Sequence, residues 1–412
     1  MHYTQSEVRQ YIEENDVKFI RLAFCDLFGR QRNISIMPEQ LQRAFDGGIT
    51  VDPSSIEGFE NAAEADLYLV PDPSTLHVLP WRPSHGRVVR LFCKILGEDR
   101  TPFPLDSRSI LKKALEACQS RNISCNIGTQ CEFYLFKTDE NGRSTGEPLD
   151  QAGYMDIAPT ERGENIRREI CLTLEAIDIQ PESSHHEKGP GQNEIDFKYS
   201  DALSAADNYM TFKATVATVA ATNGLCACFD PKPLEGCSGN GLHINMSLTR
   251  DGINMSGSDE SNSFIAGLME HICEISAFLN PLPSSYKRLG EMFAPNYVSW
   301  SSYNRGQLLK IPRSSGDAAR FELRSPDPMI NPYLAFSLLI YAGLDGIERQ
   351  LPLPGPVDFD LSKADPQITR KMKSLPASFQ EAVQLCRNSP FVRKHLPAEA
   401  IEAYVARNSS LI

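Results

Sequence analysis

The chain has 412 residues, of which 41% are hydrophobic and 23% are charged, with a formal net charge of −12 at pH 7. Its length allows two or three domains of about 100–200 residues each. The acidic balance excludes a nucleic-acid partner. The lack of a long uninterrupted apolar run excludes a membrane span, and the lack of a signal-peptide pattern predicts a soluble cytoplasmic protein.

The first hundred residues alternate short helices with strands. Thr4 and Glu7 have the spacing of a capping box, which predicts a helix over residues 4–15. Apolar periodicity predicts strands at Val17–Cys25, 33–37, 66–70 and 88–92 and a further helix at 38–46. Two prolines in segment 101–106 favour a boundary there. We therefore predict that a small α+β domain ends near residue 102.

Beyond residue 106 the sequence predicts helices that alternate with strands. The helical patterns cover residues 107–121, 164–177 and 202–223. In three strand patterns, at 131–136, 242–247 and 320–324, apolar residues take one face and polar residues take the other. The polar face carries Glu132 in the first of these strands and His243, Asn245 and Ser247 in the second. In the third it carries Arg320, Glu322 and Arg324. Carboxylates suit divalent cations and guanidinium groups suit phosphoryl oxygens, so these faces together indicate a metal and phosphate site.

The segment 179–197 places three glutamates and two histidines around a rigid Gly-Pro-Gly turn. Extended patterns on both sides of the turn can return Glu187 and Glu194 to the same place. Adjacent carboxylates repel each other unless a cation lies between them, and oxygen ligands suit Mg²⁺ or Mn²⁺. Taken alone, the segment also fits a solvated acidic turn. The chain has no Walker-type phosphate loop, so metal and arginine would have to hold a nucleotide.

These segments, in this order, resemble the glutamine synthetase family of the bacterial type I class. The resemblance extends from about residue 17 to residue 395. It rests on residues 52–59, 131–136, 185–197, 232–233, 239–243, 285–289, 304–305, 320–328 and 331–335. It implies an α+β fold with a β-grasp domain over residues 1–102. It also implies a larger catalytic domain over residues 103–412, with a curved antiparallel sheet flanked by helices.

In that family ATP phosphorylates the side-chain carboxylate of glutamate, and ammonia then displaces phosphate from the acyl phosphate. The resemblance therefore implies an ATP-dependent ligase that needs Mg²⁺ or Mn²⁺. Its small-molecule partners would be glutamate, ATP and ammonia or another amine. The chain would assemble into a hexameric ring, or into a dodecamer of two stacked rings, with each active site between neighbouring subunits.

The resemblance also implies roles for individual residues. The ligands of a first metal match Glu132, Glu187 and Glu194. Those of a second metal match His243 and Glu322, with Gln130 as a weak ligand. Glutamate contacts match Glu132, Gly239, His243, Arg288 and Arg324, and ATP contacts match Glu182, Asn245, Ser247, Arg305, Lys310 and Arg320. Catalytic roles match Asp52, Arg305 and Arg324, of which Asp52 would come from a neighbouring subunit and deprotonate ammonium.

Four positions depart from the family pattern. Gln130 replaces a glutamate, which removes a negative charge and predicts that the second metal site is the weaker one. Phe293 stands where the family has a flap glutamate that helps to bind ammonium. Ser238 replaces an asparagine that contacts glutamate, and Lys310 replaces an arginine on the phosphate side.

Three functions fit these residues. The first is a ligase that joins glutamate and ammonia. The second is a γ-glutamylamine ligase that uses a larger amine, because Phe293 removes a charge and offers an apolar surface to an alkyl or aryl group. The third is a catalytically weak homologue with a binding or assembly role. Gln130 and Phe293 favour this third function, and the intact glutamates and arginines oppose it.

Overall fold

The computed structural model describes residues 3–60, 65–82, 85–313, 316 and 319–410. Two β-sheets organise these residues, one on each side of the division predicted near residue 102. None of the helices in the described ranges is both long enough and apolar enough to cross a membrane.

The N-terminal part combines helices with a small sheet. Its strands are β1 Val17–Cys25, β2 Gln31–Ile36, β3 Ile49–Val51, β4 Leu67–Pro71, β5 His77–Val78 and β6 Arg87–Leu96, and its helices are α1 Gln5–Glu14 and α2 Leu41–Gly47. The predicted capping box is confirmed, since the Thr4 hydroxyl accepts from the Glu7 amide and the Glu7 carboxylate accepts from the Thr4 amide. The helix predicted at 38–46 begins as a 3₁₀ turn at Pro38–Gln40 and continues as α2.

These strands form one sheet in the order β2-β1-β6-β4-β3, with β5 paired to β6. β1 and β6 run parallel, and the other pairs run antiparallel. A parallel pair needs a long connection between its strands, and here the chain from β2 to β5 supplies it. Ile20, Leu22, Val89 and Leu91 of this central pair are fully buried. The predicted β-grasp topology is confirmed.

The second part contains a larger sheet covered by helices. Its strands are β7 Ser124–Thr138, β8 Ser144–Pro148, β9 Pro181–His186, β10 Gln192–Phe197, β11 Ser200–Asp201, β12 Leu225–Cys228, β13 Leu242–Arg250, β14 Ile253–Asn254, β15 Trp300–Ser301, β16 Leu309–Lys310 and β17 Phe321–Leu323. Its helices are α3 Ser107–Gln119, α4 Glu164–Glu175, α5 Ala202–Thr222, α6 Asp259–Leu279, α7 Pro283–Arg288, α8 Pro332–Glu348, α9 Pro366–Thr369, α10 Phe379–Asn388, α11 Pro390–His395 and α12 Ala398–Ser410. The three helices predicted in this part are confirmed as α3, α4 and α5.

Strand β7 is the centre of the larger sheet. The main path of the described strands is β15-β16-β17-β13-β7-β10-β9, and every pair except β15 with β16 is antiparallel. Cys131, Phe133 and Leu135 of β7 are buried in the core, where Phe133 packs edge-on against Phe212 of α5. Glu132 therefore faces away from this core. The predicted division of β7 into two faces is confirmed.

A buried network of charged side chains joins the two parts. Arg108 of α3 donates to Asp207 of α5 from Nε at 3.1 Å and from Nη2 at 2.9 Å. Its Nη1 donates to Asp72, in the N-terminal part, at 2.9 Å. Tyr333 of α8 donates to Asp207 at 2.7 Å. Asp207 therefore compensates a guanidinium charge that would be costly to bury without partners.

We expect Asp207→Ala to lower the free energy of unfolding by about 3–5 kcal/mol, because it removes a main partner of a buried charge. The matched control is Glu348→Ala, which breaks an exposed pair with Arg121 at 3.2 Å and should cost less than about 1 kcal/mol. Urea unfolding followed by circular dichroism measures both losses. Equal losses would contradict the role given to Asp207.

Candidate active site

A row of three side chains crosses neighbouring strands of the larger sheet. Glu194 of β10 lies directly opposite Glu132 of β7 on one side and opposite His185 of β9 on the other. Residues opposite each other in a sheet point to the same side, so the three side chains share one face. Glu187 follows His185 by two residues, and its Oε1 lies 3.0 Å from His185 Nε2. The three glutamates predicted for the first metal thus meet on one face of the sheet.

Two sets of ligand atoms on this face are compact enough to hold a metal ion. One set is Glu132, Glu194 and His243, and the other is His185, Glu187 and Glu194. Within each set the three atoms lie within 4.8 Å of one another. The structure therefore divides the predicted first-metal glutamates between two overlapping sets that share Glu194, and it adds a histidine to each.

The carboxylates of this face are crowded and buried. Burial raises the pKa of Glu132 to about 7, and the neighbouring Glu187 adds to the rise. Burial also raises the pKa of Glu194 well above its ordinary value, with a contribution from Glu132. Both shifts have the sign expected when negative charges share a site without a compensating cation. A divalent cation would relieve this repulsion, and the oxygen-rich donors fit Mg²⁺ or Mn²⁺.

Hydrogen bonds from the loop before β13 and from β10 fix the direction of Glu132. Its Oε2 accepts from the Gly241 amide at 2.8 Å and from Gln192 Nε2 at 3.2 Å. A Cβ at position 241 would lie 2.7 Å from Arg288 Nη2, so a larger residue there would displace the Arg288 guanidinium group. A Cβ at Gly239 would likewise lie 2.9 Å from the Arg288 side chain. The loop before β13 therefore gives Glu132 a backbone donor and lies close against Arg288 of α7.

The residues predicted for the second metal are only partly brought together. His243 Nδ1 lies 3.4 Å from Glu322 Oε1. Burial and the nearby arginines hold the pKa of His243 well below its ordinary value, so the ring is neutral and available to a metal. Gln130, by contrast, donates from Nε2 to Asp196 at 3.2 Å and accepts at Oε1 from Asn245 at 3.4 Å. The predicted weak ligand is therefore already hydrogen-bonded at both ends of its amide.

Cationic side chains complete a pocket of about 310 Å³ around these carboxylates. Arg288 is buried and donates to the carbonyl oxygens of Ser325 at 2.8 Å and Arg324 at 3.1 Å. The Arg324 guanidinium donates to Glu322, and Lys310 Nζ lies 3.8 Å from the same carboxylate. Most of the predicted site residues line this pocket: Gln130, Glu132, Glu187, Glu194, Gly239, His243, Arg288, Arg305, Lys310, Glu322 and Arg324.

A smaller pocket meets the main one at Gln130, which lines both. The other predicted nucleotide contacts line it: Glu182, Asn245, Ser247 and Arg320. Asp52 lies in the loop after β3 and lines neither pocket. Its carboxylate accepts from the Ser54 amide at 2.8 Å.

The segment that contains Phe293 forms part of the wall of the main pocket. The Lys188 ammonium group lies 4.1 Å from the centre of the Phe293 ring, so a contact joins the turn after β9 to the segment after α7. Met292 and Phe293 have φ angles of 43° and 74°, which are strained for residues other than glycine. Glu291 also lines the main pocket, and its carboxylate pairs with Lys232.

Tyr154, His185 and Lys188 are among the pocket residues that have no predicted role from the sequence. His185 and Lys188 lie in segment 179–197, and the spacing of His185 and Glu187 by two residues is the signal that places both on one face of a strand. Tyr154 packs edge-on against His185, with ring centroids 5.4 Å apart. It lies in an irregular segment without periodicity, so no local pattern indicates it.

The chain matches the sequence models of two protein domains. The model described as the glutamine synthetase β-grasp domain matches residues 16–98, and the one described as the glutamine synthetase catalytic domain matches residues 104–410. The chain therefore belongs to the glutamine synthetase family, as predicted. The members of this family are ATP-dependent ligases that act on glutamate and use divalent metal ions.

Two relatives named glutamine synthetase align with nearly the whole chain. The protein of Clostridium saccharobutylicum is 43% identical over 415 residues, which cover 98% of this chain and 94% of that protein. The protein of Methanosarcina mazei is 42% identical over 414 residues, which cover 98% of this chain and 92% of that protein.

Two solved structures resemble the fold over almost its full length. The structure named "GmaS/ADP complex-Conformation 1" has a TM-score of 0.88 and 30% identity, and it covers 98% of this chain and 95% of its own. The cryo-electron microscopy structure of Plasmodium falciparum glutamine synthetase has a TM-score of 0.87 and 22% identity, and it covers 99% of this chain and 95% of its own. The second likeness supports the fold alone.

We expect Mn²⁺ binding to release protons at pH 6 and fewer protons at pH 8. The raised pKa of Glu132, about 7, means that this carboxyl group holds a proton at pH 6 that a metal must displace. Apparent affinity should then rise about tenfold per pH unit below pH 7 for each proton displaced. Calorimetry in buffers of different ionisation enthalpy counts these protons.

Two variants separate this effect from general changes in charge. Glu132→Gln should reduce the proton release and weaken binding, whereas Glu182→Gln, which alters a carboxylate of the smaller pocket, should leave proton release unchanged. The same proton count at pH 6 and pH 8 in the unmutated protein would contradict a Glu132 pKa of about 7.

Proposed function

We propose that this protein forms an amide bond between the side-chain carboxylate of glutamate and ammonia at the expense of ATP, through a γ-glutamyl phosphate. The observation that carries the proposal is the main pocket, where three glutamates on one sheet face stand beside three arginines. Phosphoryl transfer to a carboxylate brings two anions together, and the arginines with a divalent cation held by the glutamates would neutralise their repulsion.

The cationic residues would hold the glutamate substrate. Arg288 is suited to this task because backbone carbonyls fix its guanidinium group, so little side-chain freedom is lost on binding. Gly239 and Gly241 let the loop before β13 approach the Arg288 side chain closely, and Gly239 lines the main pocket beside it. We propose that Arg324 contacts the same substrate and that Arg305, which is exposed at the pocket, faces the phosphoryl group being transferred.

The reaction needs two displacements in sequence. An oxygen of the glutamate side chain bonds to the γ-phosphorus of ATP as the bond to ADP breaks, and the amine nitrogen then bonds to the acyl carbon as phosphate leaves with the electron pair. A divalent cation bound at Glu132, Glu187 and Glu194 would supply positive charge for the reacting oxygens. His243, whose ring is neutral, and Glu322 are the proposed ligands of a second, weaker metal site.

The smaller pocket is the proposed nucleotide site. Glu182, Asn245, Ser247 and Arg320 offer hydrogen-bond donors and acceptors there, and Gln130 separates it from the carboxylate face. A solved relative that is 30% identical is named as an ADP complex, which supports nucleotide binding by this fold.

Asp52 is the proposed base that removes a proton from the amine. Its position outside both pockets of its own chain agrees with a role in the site of a neighbouring chain. We therefore propose that the protein works as a ring of subunits, a hexamer or two stacked hexamers, in which Asp52 of one chain completes the pocket of the next.

A second candidate function is ligation of a larger amine. It is favoured by Phe293, whose ring stands at the main pocket where a carboxylate would attract ammonium. The ring face is already occupied by Lys188, so a cationic amine would have to compete for it, whereas an alkyl chain could pack on the exposed edge of the ring. Each buried methylene would add about 0.8 kcal/mol to binding.

Phosphate release from ATP tests both functions. We expect release to require glutamate together with an amine, and we expect Phe293→Glu to raise kcat/KM for ammonium relative to methylamine, ethylamine and putrescine, because it restores an anionic group. The double variant Phe293→Glu with Lys188→Met should raise it further, since Lys188 would otherwise neutralise the new carboxylate.

The kcat/KM values of the unmutated protein for ammonium and for the alkylamines distinguish the two candidate functions. Highest kcat/KM with ammonium indicates the ammonia ligase, and highest kcat/KM with an alkylamine indicates the larger-amine ligase. A rate of phosphate release that does not change on adding glutamate or any amine would contradict both candidate functions. If neither Phe293→Glu nor the double variant changes the ranking of amines by kcat/KM, Phe293 does not select the amine.

A further inference from the structure

We propose that His185 is a ligand of the first metal, so that an imidazole nitrogen joins the carboxylates in binding it. This inference rests on the proposed metal site and extends it by one residue. His185 lies opposite Glu194 in the β9–β10 register, and Glu194 lies opposite Glu132 in the β10–β7 register. His185 is therefore the end member of the same row of side chains.

The distances bring the His185 ring to the carboxylates. Its Nε2 lies 3.0 Å from Glu187 Oε1 and 3.9 Å from Glu194 Oε1. These three ligand atoms lie within 4.8 Å of one another, which is the spacing of atoms that can surround one ion. The ring of Tyr154 meets the His185 ring edge-on at 86°, with centroids 5.4 Å apart, and so restricts its rotation.

The neighbouring His186 shows what a structural histidine looks like in the same segment. Its side chain is fully buried, and its Nε2 lies 2.9 Å from Asp150 Oδ1. Its Nδ1 lies 2.6 Å from the Glu187 carbonyl oxygen, so both ring nitrogens have partners on the side of the strand away from the metal face. His185 instead keeps 18% of its side chain exposed and lines the main pocket.

A nitrogen ligand changes which ion the site favours. Mg²⁺ prefers oxygen ligands and gives up its waters reluctantly, whereas imidazole suits the transition metals. A first site with His185 should therefore favour Mn²⁺ over Mg²⁺ more strongly than a site made of carboxylates alone. The sequence alone shows two histidines in a glutamate-rich segment and does not indicate which of them binds a metal.

Pulsed electron paramagnetic resonance of the full-length protein with less than one equivalent of Mn²⁺ tests the proposal, because it detects nitrogen nuclei bonded to the ion. We expect a nitrogen coupling that is lost in His185→Asn and retained in His243→Asn and in Tyr154→Leu. His185→Asn should also weaken Mn²⁺ binding by at least about tenfold while it changes Mg²⁺ affinity less. His185→Gln serves as a second variant if His185→Asn fails to fold.

The outcomes distinguish this inference from the metal site on which it rests. No Mn²⁺ binding by the unmutated protein would overturn both. Mn²⁺ binding without a nitrogen coupling, or with a coupling that disappears only in His243→Asn, would overturn the role of His185 and leave the carboxylate site in place. Equal loss of Mn²⁺ and Mg²⁺ affinity in His185→Asn would overturn the proposed metal preference.

Discussion

Repulsion among buried carboxylates is the constraint on which the rest of this structure depends. Glu132 and Glu194 face each other across neighbouring strands, and Glu187 lies at the end of the same face. The register of β7 and β10 fixes this meeting, because a shift of one residue would turn either glutamate into the core. The raised pKa values of Glu132 and Glu194 show that keeping both carboxylates ionised in this buried site is unfavourable unless a proton or a cation compensates their charge.

The neighbouring elements place cationic side chains beside the carboxylates. Arg288 is tied to backbone carbonyls, Arg324 and Lys310 lie against Glu322, and the glycines of the loop before β13 let Arg288 approach Glu132. The pocket therefore carries carboxylates on β7, β10 and β17 and cationic side chains on α7, on β16 and directly after β17. Such a mixed surface suits the meeting of a carboxylate with a phosphate.

Local pattern predicts the parts of the site that depend on a single strand. Alternation places Glu132 and His243 on polar faces, and the structure bears out both faces. It does not predict which residues of different strands lie opposite each other, so the row that joins His185 to Glu194 appears only with the register. Local pattern does not predict the contact of Lys188 with Phe293 or that of Gln130 with Asp196 either, because each contact joins segments far apart in the chain.

A crystal structure with Mn²⁺, located by its anomalous scattering, tests most directly the claim that one cation compensates these carboxylates. We expect a Mn²⁺ ion within about 2.5 Å of oxygens from Glu132, Glu187 and Glu194. This expectation would be contradicted by Mn²⁺ bound elsewhere in the protein, with the oxygens of these three residues more than about 5 Å from any common point.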